Sequence, residues 1–205
     1  MHPQAEGWSS GLTETKVEGR EAFRGRLLQL KVDTVRLPDG AQSTREFVVH
    51  NGAAIVVPLL PDGRVVVEHQ HRYPVGQVLC EFPAGKRDGE EPTWRCAWRE
   101  LREETGYVAA ELAFATRMFN APAYSTEFID LWFARGLTPG PAALDAGEWL
   151  EVSAMSVQEL ESLSWRGELP DAKTLVAMHY LRAMLDGRWT PVWRSVADWG
   201  AEGTV

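Results

Sequence analysis

Residues 85–107, GKRDGEEPTWRCAWRELREETGY, constrain this chain more than any other stretch. They read as a short glycine-bearing loop followed by one charged, amphipathic helix. Pro92 suits the first helical position, because its ring presets φ and the N–H it lacks would go unbonded there. Gly106 stands where a left-handed C-terminal cap is needed. At about 100° per residue, Glu100, Glu103 and Glu104 fall within an arc of roughly 100°. Trp94, Ala97, Trp98 and Leu101 fall on the neighbouring face, which can bury against a sheet. Arg99 lies beside the carboxylates and can hold one of them by paired hydrogen bonds. Like charges three and four residues apart repel on a helix, so this face makes physical sense beneath a hard cation. Oxygen ligands without Cys or His favour Mg²⁺ or Mn²⁺ over zinc. The bland alternative is a solvated charged face.

Composition narrows the classes. A chain of 205 residues can bury one substantial core, and its 44% apolar and 24% charged content is ordinary for a globular protein. A net charge of −8 argues against a protein that grips nucleic-acid backbones. An acidic protein that handles a diphosphate needs cations to bridge the two sets of negative charge. Cys80 and Cys96 have no metal-ligand spacing and suggest no disulfide framework, so both read as buried thiols in a reducing cytoplasm. The first twenty residues lack an apolar core of signal-peptide length, and no run is long enough to span a membrane. The five histidines show neither metal nor triad spacing.

Taken in order, residues 1–20 read as a polar arm, poorly ordered or ordered by a partner subunit. Leu28, Leu30 and Val32 alternate with polar residues as a strand does, Pro38-Asp39-Gly40 turns, and TREFVVH (44–50) returns as a second strand. AAIVVPLL (53–60) reads as a strand buried on both faces, with RVVVEH (64–69) as its partner across the Pro61-Asp62-Gly63 turn. VLCEF (78–82) is a further strand. After the charged helix come strands near 111–119 and 128–134, joined by the loop NAPAYSTE (120–127). Residues 135–147 read as a mobile loop, 148–152 as a short strand, and 156–163 and 171–185 as helices. In the last helix Leu175, Met178, Leu181 and Leu185 share a face. The segment RWTPVWRSVADWG carries three tryptophans and no clear period. The chain thus divides into an arm and β-hairpin (1–50), a core domain (51–188) and a tryptophan-rich tail (189–205).

Residues 85–107 fill every fixed position of the Nudix box, GX5EX7REUXEEXGU, where U is bulky and apolar: Gly85, Glu91, Arg99, Glu100, Leu101, Glu103, Glu104 and Gly106. Tyr107 takes the last U place, where an aliphatic residue is more usual. The chain therefore resembles the Nudix hydrolase family over about residues 20–188. EFPAGK (81–86), QHRYP (70–74) and Pro122, sixteen residues after Gly106, resemble the ADP-ribose pyrophosphatases of that family. Ala123 departs from the glycine that normally follows the proline there.

The resemblance implies an α+β Nudix fold, a mixed β-sheet sandwiched between helices, with an N-terminal antiparallel β extension used in homodimerisation. It implies Mg²⁺-dependent hydrolysis of ADP-ribose to AMP and ribose 5-phosphate, with Mn²⁺ as a substitute ion. Glu100, Glu103, Glu104 and the backbone carbonyl of Ala84 become the metal ligands, and Arg99 and Glu91 the residues that orient them. Arg72, Glu81 and Pro122 become substrate contacts. The catalytic carboxylate falls to Glu148, with Glu127, Glu103 and Asp145 as rivals. Tyr73, Phe47 and Trp8 are candidates to stack on an adenine ring. Two alternatives stand beside this reading: another nucleoside diphosphate derivative as substrate (a nucleotide sugar, NADH, FAD or an oxidised nucleotide), or a non-catalytic ADP-ribose sensor. A sensor's usual mark is a broken box or a fused DNA-binding helix-turn-helix; this box is intact.

Overall fold

A computed structural model describes residues 10–201, so Trp8 lies outside the described residues. The chain divides into two compact units, Met1–His50 with Ala121–Glu127, and Asn51–Asn120 with Phe128–Val205.

In the first unit β1 (Thr15–Arg24), β2 (Gln29–Arg36) and β3 (Gln42–Val49) form an antiparallel sheet in that order. Gly40, at φ 88°, closes the turn between β2 and β3 and donates its N–H to the Leu37 carbonyl at 2.9 Å. Residues 15–20, expected in a poorly ordered arm, instead form the first half of β1. Every residue of β1 is exposed, so no apolar alternation marks it. The ladder to β2 holds it, helped by Lys16, whose ammonium lies 2.8 Å from the Asp33 carboxylate. The segment Ala121–Glu127 runs beside the end of β3: Val48 N–H donates to Tyr124 O (2.9 Å) and Thr126 N–H to Val48 O (3.0 Å).

The second unit begins with β4 (Ala53–Pro58), β5 (Val65–Arg72), β6 (Gln77–Glu81) and β7 (Ala84–Lys86), then α1 (Thr93–Thr105). There follow β8 (Tyr107–Val108), β9 (Glu111–Met118), β10 (Ile129–Arg135), β11 (Thr138–Pro139) and β12 (Leu150–Met155). Helices α2 (Val157–Trp165) and α3 (Ala172–Leu185), strand β13 (Arg194–Ser195) and α4 (Val196–Ala201) close the chain. The central sheet has the order β13-β9-β10-β4-β7, with β10 and β4 parallel and the other pairs antiparallel. A second sheet runs β12-β5-β6.

All six residues of β4 are buried, because the strand serves two cores. Ala54 and Val56 face α1, where they meet Cys96, Ala97 and Leu101 together with Trp132 and Ala134 of β10. Ala53, Ile55 and Val57 face the opposite way, into a cluster with Val65, Val67, Cys80 and Phe82 and with Leu160, Met178 and Leu181 of α2 and α3. The expected β4–β5 pairing does not form. β4 is already hydrogen-bonded on both edges, to β10 and β7, so beyond one bridge at Leu59–Val65 the chain passes β5 into the second sheet.

Pro92 stands one place earlier than expected. It is the extended residue before α1 (ψ 143°), and its carbonyl accepts from Arg95 N–H at 3.0 Å. Ser156 begins α2 with a reciprocal capping box to Glu159, and Asp171 begins α3 by accepting the Thr174 N–H. In α3 the buried stripe runs through Thr174, Ala177, Met178 and Leu181, whereas Leu175 and Leu185 stay exposed. The described part of the tryptophan-rich tail packs on its own unit. Trp189 lies against Phe133 and Tyr180, with ring centroids 5.3 Å apart in both cases, and Trp199 against Trp132 at 5.2 Å. Residues 135–147, expected to be a mobile loop, are tied down where β11 pairs with β8 and where Ala143 N–H donates to Glu103 O at 2.8 Å.

Leu101 is fully buried between α1 and the sheet. Leu101→Ala should destabilise the protein by about 2–5 kcal/mol in urea denaturation. A loss under about 1 kcal/mol would mean that α1 is not packed on β4 and β10 as described.

Candidate active site

The glycine that opens the charged stretch has a steric role. A Cβ on Gly85 would lie 2.0 Å from the Glu100 carboxyl carbon. Only a residue without a side chain lets this carboxylate rest against β7. One position earlier, Ala84 pairs with Ile55 across β4–β7, while the flanking ladder bond runs from Val56 N–H to Pro83 O. This register leaves the N–H and C=O of Ala84 facing away from β4. Its N–H donates to Glu104 Oε2 at 3.0 Å.

Arg99 gathers the other carboxylates. It donates Nε and Nη2 to the two oxygens of Glu91 (3.2 and 3.0 Å), and Nη1 to Glu100 Oε1 (2.7 Å) and Glu103 Oε2 (3.0 Å). Nη2 also reaches the Lys86 carbonyl at 3.0 Å. Burial alone would weaken the guanidinium's charge, but the Glu91, Glu100 and Glu103 partners raise its pKa instead. Gly106 ends the helix at φ 76°, and a Cβ there would strike the Gly140 carbonyl at 2.2 Å. The helix end and the loop carrying Asp145 and Glu148 are thus pressed together.

Glu104 is less well provided for. It is buried, and burial, then the Glu68, Glu100 and Glu148 charges, push its carboxyl up to about 10. Glu68 on β5 was not singled out from the sequence. It is completely buried, and no hydrogen-bond donor among the described residues reaches either of its oxygens. Burial and then the Glu81 charge raise its pKa to about 7. Burial likewise lifts Glu100 to about 7 against the opposing pull of Arg99. Glu148 accepts from Gln70 Nε2 at 3.4 Å and from the Asp145 N–H at 3.3 Å.

Three further sets of candidate residues remain. Arg72 donates Nε and Nη2 to the two oxygens of Glu81 (2.8 and 2.9 Å). Lys173, also missed from the sequence, forms a second ion pair with Glu81. Burial works to raise Glu81, yet Arg72 and Lys173 hold it below the usual carboxylate range. Glu127 and Pro122 belong to the first unit, where a Glu127 oxygen lies 3.5 Å from His50 Nε2. Tyr73 is exposed and Phe47 half-buried.

The donor set is oxygen only and suits a hard divalent cation. The fit shows in Glu68 and Glu104, two buried carboxylates side by side that a cation would neutralise. No three His, Cys, Asp or Glu side chains among the described residues already converge as a finished cage.

Comparisons with known proteins give the family and the fold. A family model described as the NUDIX domain matches residues 49–178, and one described as the nucleoside diphosphate sugar hydrolase N-terminal domain matches residues 14–48. The chain is 35% identical over 174 residues to the ADP-ribose pyrophosphatase of Bacillus subtilis, which covers 83% of this chain and 94% of that relative. It is 33% identical over 171 residues to the methanol dehydrogenase activator of Bacillus methanolicus, covering 82% and 92%. A crystal structure of an ADP compounds hydrolase superposes with a TM-score of 0.78 at 23% identity, covering 88% of this chain and 98% of that one, and has the same fold.

A carboxyl whose folded pKa lies above its ordinary 4.5 stabilises the fold below that pH and loses the contribution as pH rises through the folded value. For Glu68 and Glu100 that loss spans pH 4.5 to about 7, and for Glu104 it extends to about 10. The melting temperature of the metal-free protein should therefore fall between pH 5 and pH 9, as followed by circular dichroism. In Glu104→Gln the fall should be shallower and the variant the more stable form at pH 9. Identical slopes in the two proteins would show that Glu104 is not buried among like charges.

Proposed function

The chain belongs to the NUDIX domain family, and from that premise we propose that it hydrolyses ADP-ribose to AMP and ribose 5-phosphate with Mg²⁺, Mn²⁺ serving as a substitute. The observation that carries the reading is the placing of Glu100 against Gly85, with Glu104 buried beside it and Arg99 holding Glu100 and Glu103. The substrate class comes from the relative named ADP-ribose pyrophosphatase and from the EFPAGK and QHRYP segments.

In this reading Glu100, Glu103, Glu104 and the Ala84 carbonyl hold the cation, and Glu91 and Arg99 orient the carboxylates. When bound, the cation offsets the charge that builds on the diphosphate oxygens and acidifies water. Arg72 receives the substrate's phosphates and terminal ribose, beside Glu81, while Pro122 shapes the loop of the first unit. Glu148, held by Gln70 and the Asp145 N–H, accepts the proton of the attacking water. The oxygen of that water bonds to one phosphorus as the bridging P–O bond breaks, leaving the two monophosphates. Glu127, engaged with His50, is the lesser candidate for this proton. The exposed outer strand β1 supports homodimerisation through the N-terminal sheet, and the buried thiols Cys80 and Cys96 suit a reducing cytoplasm. No helix among the described residues is long and apolar enough to cross a membrane.

Steady-state hydrolysis of a panel of nucleoside diphosphate derivatives with Mg²⁺ tests the reading. ADP-ribose should lead in kcat/KM by about tenfold, and Glu104→Gln should lose about a hundredfold or more of that rate. Leadership by a nucleotide sugar, NADH or FAD would transfer the substrate and leave the hydrolase. Tight ADP-ribose binding without turnover would make the protein a sensor.

Glu148→Gln and Glu127→Gln, compared under the same conditions, separate the two bases. Loss of proton transfer should cost kcat about a hundredfold or more in the first and little in the second. The reverse order would move the role to Glu127.

A further inference from the structure

We infer that Lys173 is a positioning residue for substrate binding, acting through Glu81 on Arg72. The inference rests on the reading of Arg72 as a substrate contact. It adds a residue from a helix 92 positions downstream of Glu81.

The argument begins with Glu81. Its carboxylate is completely buried at the end of β6 and carries two cations at once. An unpaired buried carboxylate would shed its charge by taking up a proton. Shared between Lys173 and Arg72, it stays ionised, with its pKa held down. Arg72 uses Nε and one hydrogen of Nη2 on the two Glu81 oxygens. This side-on fork fixes the guanidinium plane and leaves the Nη1 edge to meet a phosphate or a ribose hydroxyl. The Arg72 side chain is 38% exposed while Glu81 is 1% exposed, so the fork is anchored inside and presented outside.

Lys173 holds the anchor from behind. Its side chain is 11% exposed, and its ammonium also lies 3.1 Å from Asp171 Oδ1, the residue that caps α3. The next residue, Thr174, accepts the Phe82 N–H on its hydroxyl at 3.2 Å. The first turn of α3 is therefore attached twice to consecutive residues leading into the box, by charge at Glu81, the last residue of β6, and by the Phe82 N–H to the Thr174 hydroxyl. Thr174, Ala177 and Leu181 bury the helix independently of Lys173, so the ammonium is not what holds α3 in place. Removing it leaves Glu81 buried with one cation where it had two. Glu81 then turns toward Arg72 or takes up a proton, and in both cases the fork loses its set direction.

A double-mutant cycle on the full chain with Mg²⁺ and ADP-ribose tests this. Lys173→Met should raise KM about tenfold with kcat within about threefold of wild type, because orientation of a binding group is lost and not the chemistry. Lys173→Arg should recover most of the affinity. Arg72→Ala should raise KM at least as far, and adding Lys173→Met to it should change KM by less than about twofold, since a residue that acts through Arg72 has nothing left to position. A tenfold effect that persists in the Arg72→Ala background, or a fall in kcat at unchanged KM, would overturn the inference. If Arg72→Ala raises KM and Lys173→Met does not, the inference fails alone. If Arg72→Ala leaves KM unchanged, the substrate reading of Arg72 fails and the inference falls with it. Lys173→Gln guards against misfolding, and loss of the folded state in both Lys173→Met and Lys173→Gln, seen by circular dichroism, would also overturn the proposal by making Lys173 a general support of the domain.

Discussion

Carboxylates held out of water set the terms for the second unit. Each buried negative charge costs several kcal/mol unless something neutralises it, and the fold answers in three ways. Glu81 is neutralised permanently by Arg72 and Lys173. Glu91, Glu100 and Glu103 share the single guanidinium of Arg99. Glu68 and Glu104 form no ion pair among the described residues; burial raises both carboxyls, and the Glu68 charge raises Glu104 further. The first arrangement is a fixed structural anchor, the second orients, and the third leaves a demand for positive charge at one place.

The scaffold exists to hold those groups in register. β4, hydrogen-bonded on both edges and buried on both faces, fixes β7 on one side and presents Ala54 and Val56 to α1 on the other. Because β7 and α1 are both referred to β4, the Ala84 N–H meets Glu104 and the bare backbone of Gly85 meets Glu100. The second sheet and α3 bring Glu68, Glu81 and Lys173 to the same unit from behind. The loop bearing Glu148 is drawn in by its bond to the end of α1, where Ala143 meets Glu103. Precision here comes from shared reference to one strand.

What was legible in the sequence was local. The helical face of Glu100, Glu103 and Glu104, the cap at Gly106 and the turn at Gly40 all follow from periodicity or backbone preference within a few residues, and each appears where expected. Where reasoning failed, the deciding partner was distant or the pattern was silent. Glu68 sits in an apolar run whose meaning depends on a carboxylate 36 residues later. β1 escaped notice because a strand exposed on every residue carries no apolar alternation. β5 reads as the partner of β4 because the turn between them is well formed, yet both edges of β4 were taken by strands that are not its sequence neighbours. The tryptophans of the tail have no period because each packs on a different surface, Trp189 on Phe133 and Trp199 on Trp132.

By itself, then, the sequence determined the chemistry that the chain can offer: a glycine that lets a carboxylate approach, a helix with acidic residues on one face, and an arginine spaced to hold them. These are matters of spacing along one element, and a helix repeats its geometry wherever it lies. Only the tertiary structure decided which charges would be neutralised and by whom. It set Lys173 behind Glu81 and left Glu68 beside Glu104, because electrostatic energy in a buried site depends on distances between elements that no spacing along the chain records.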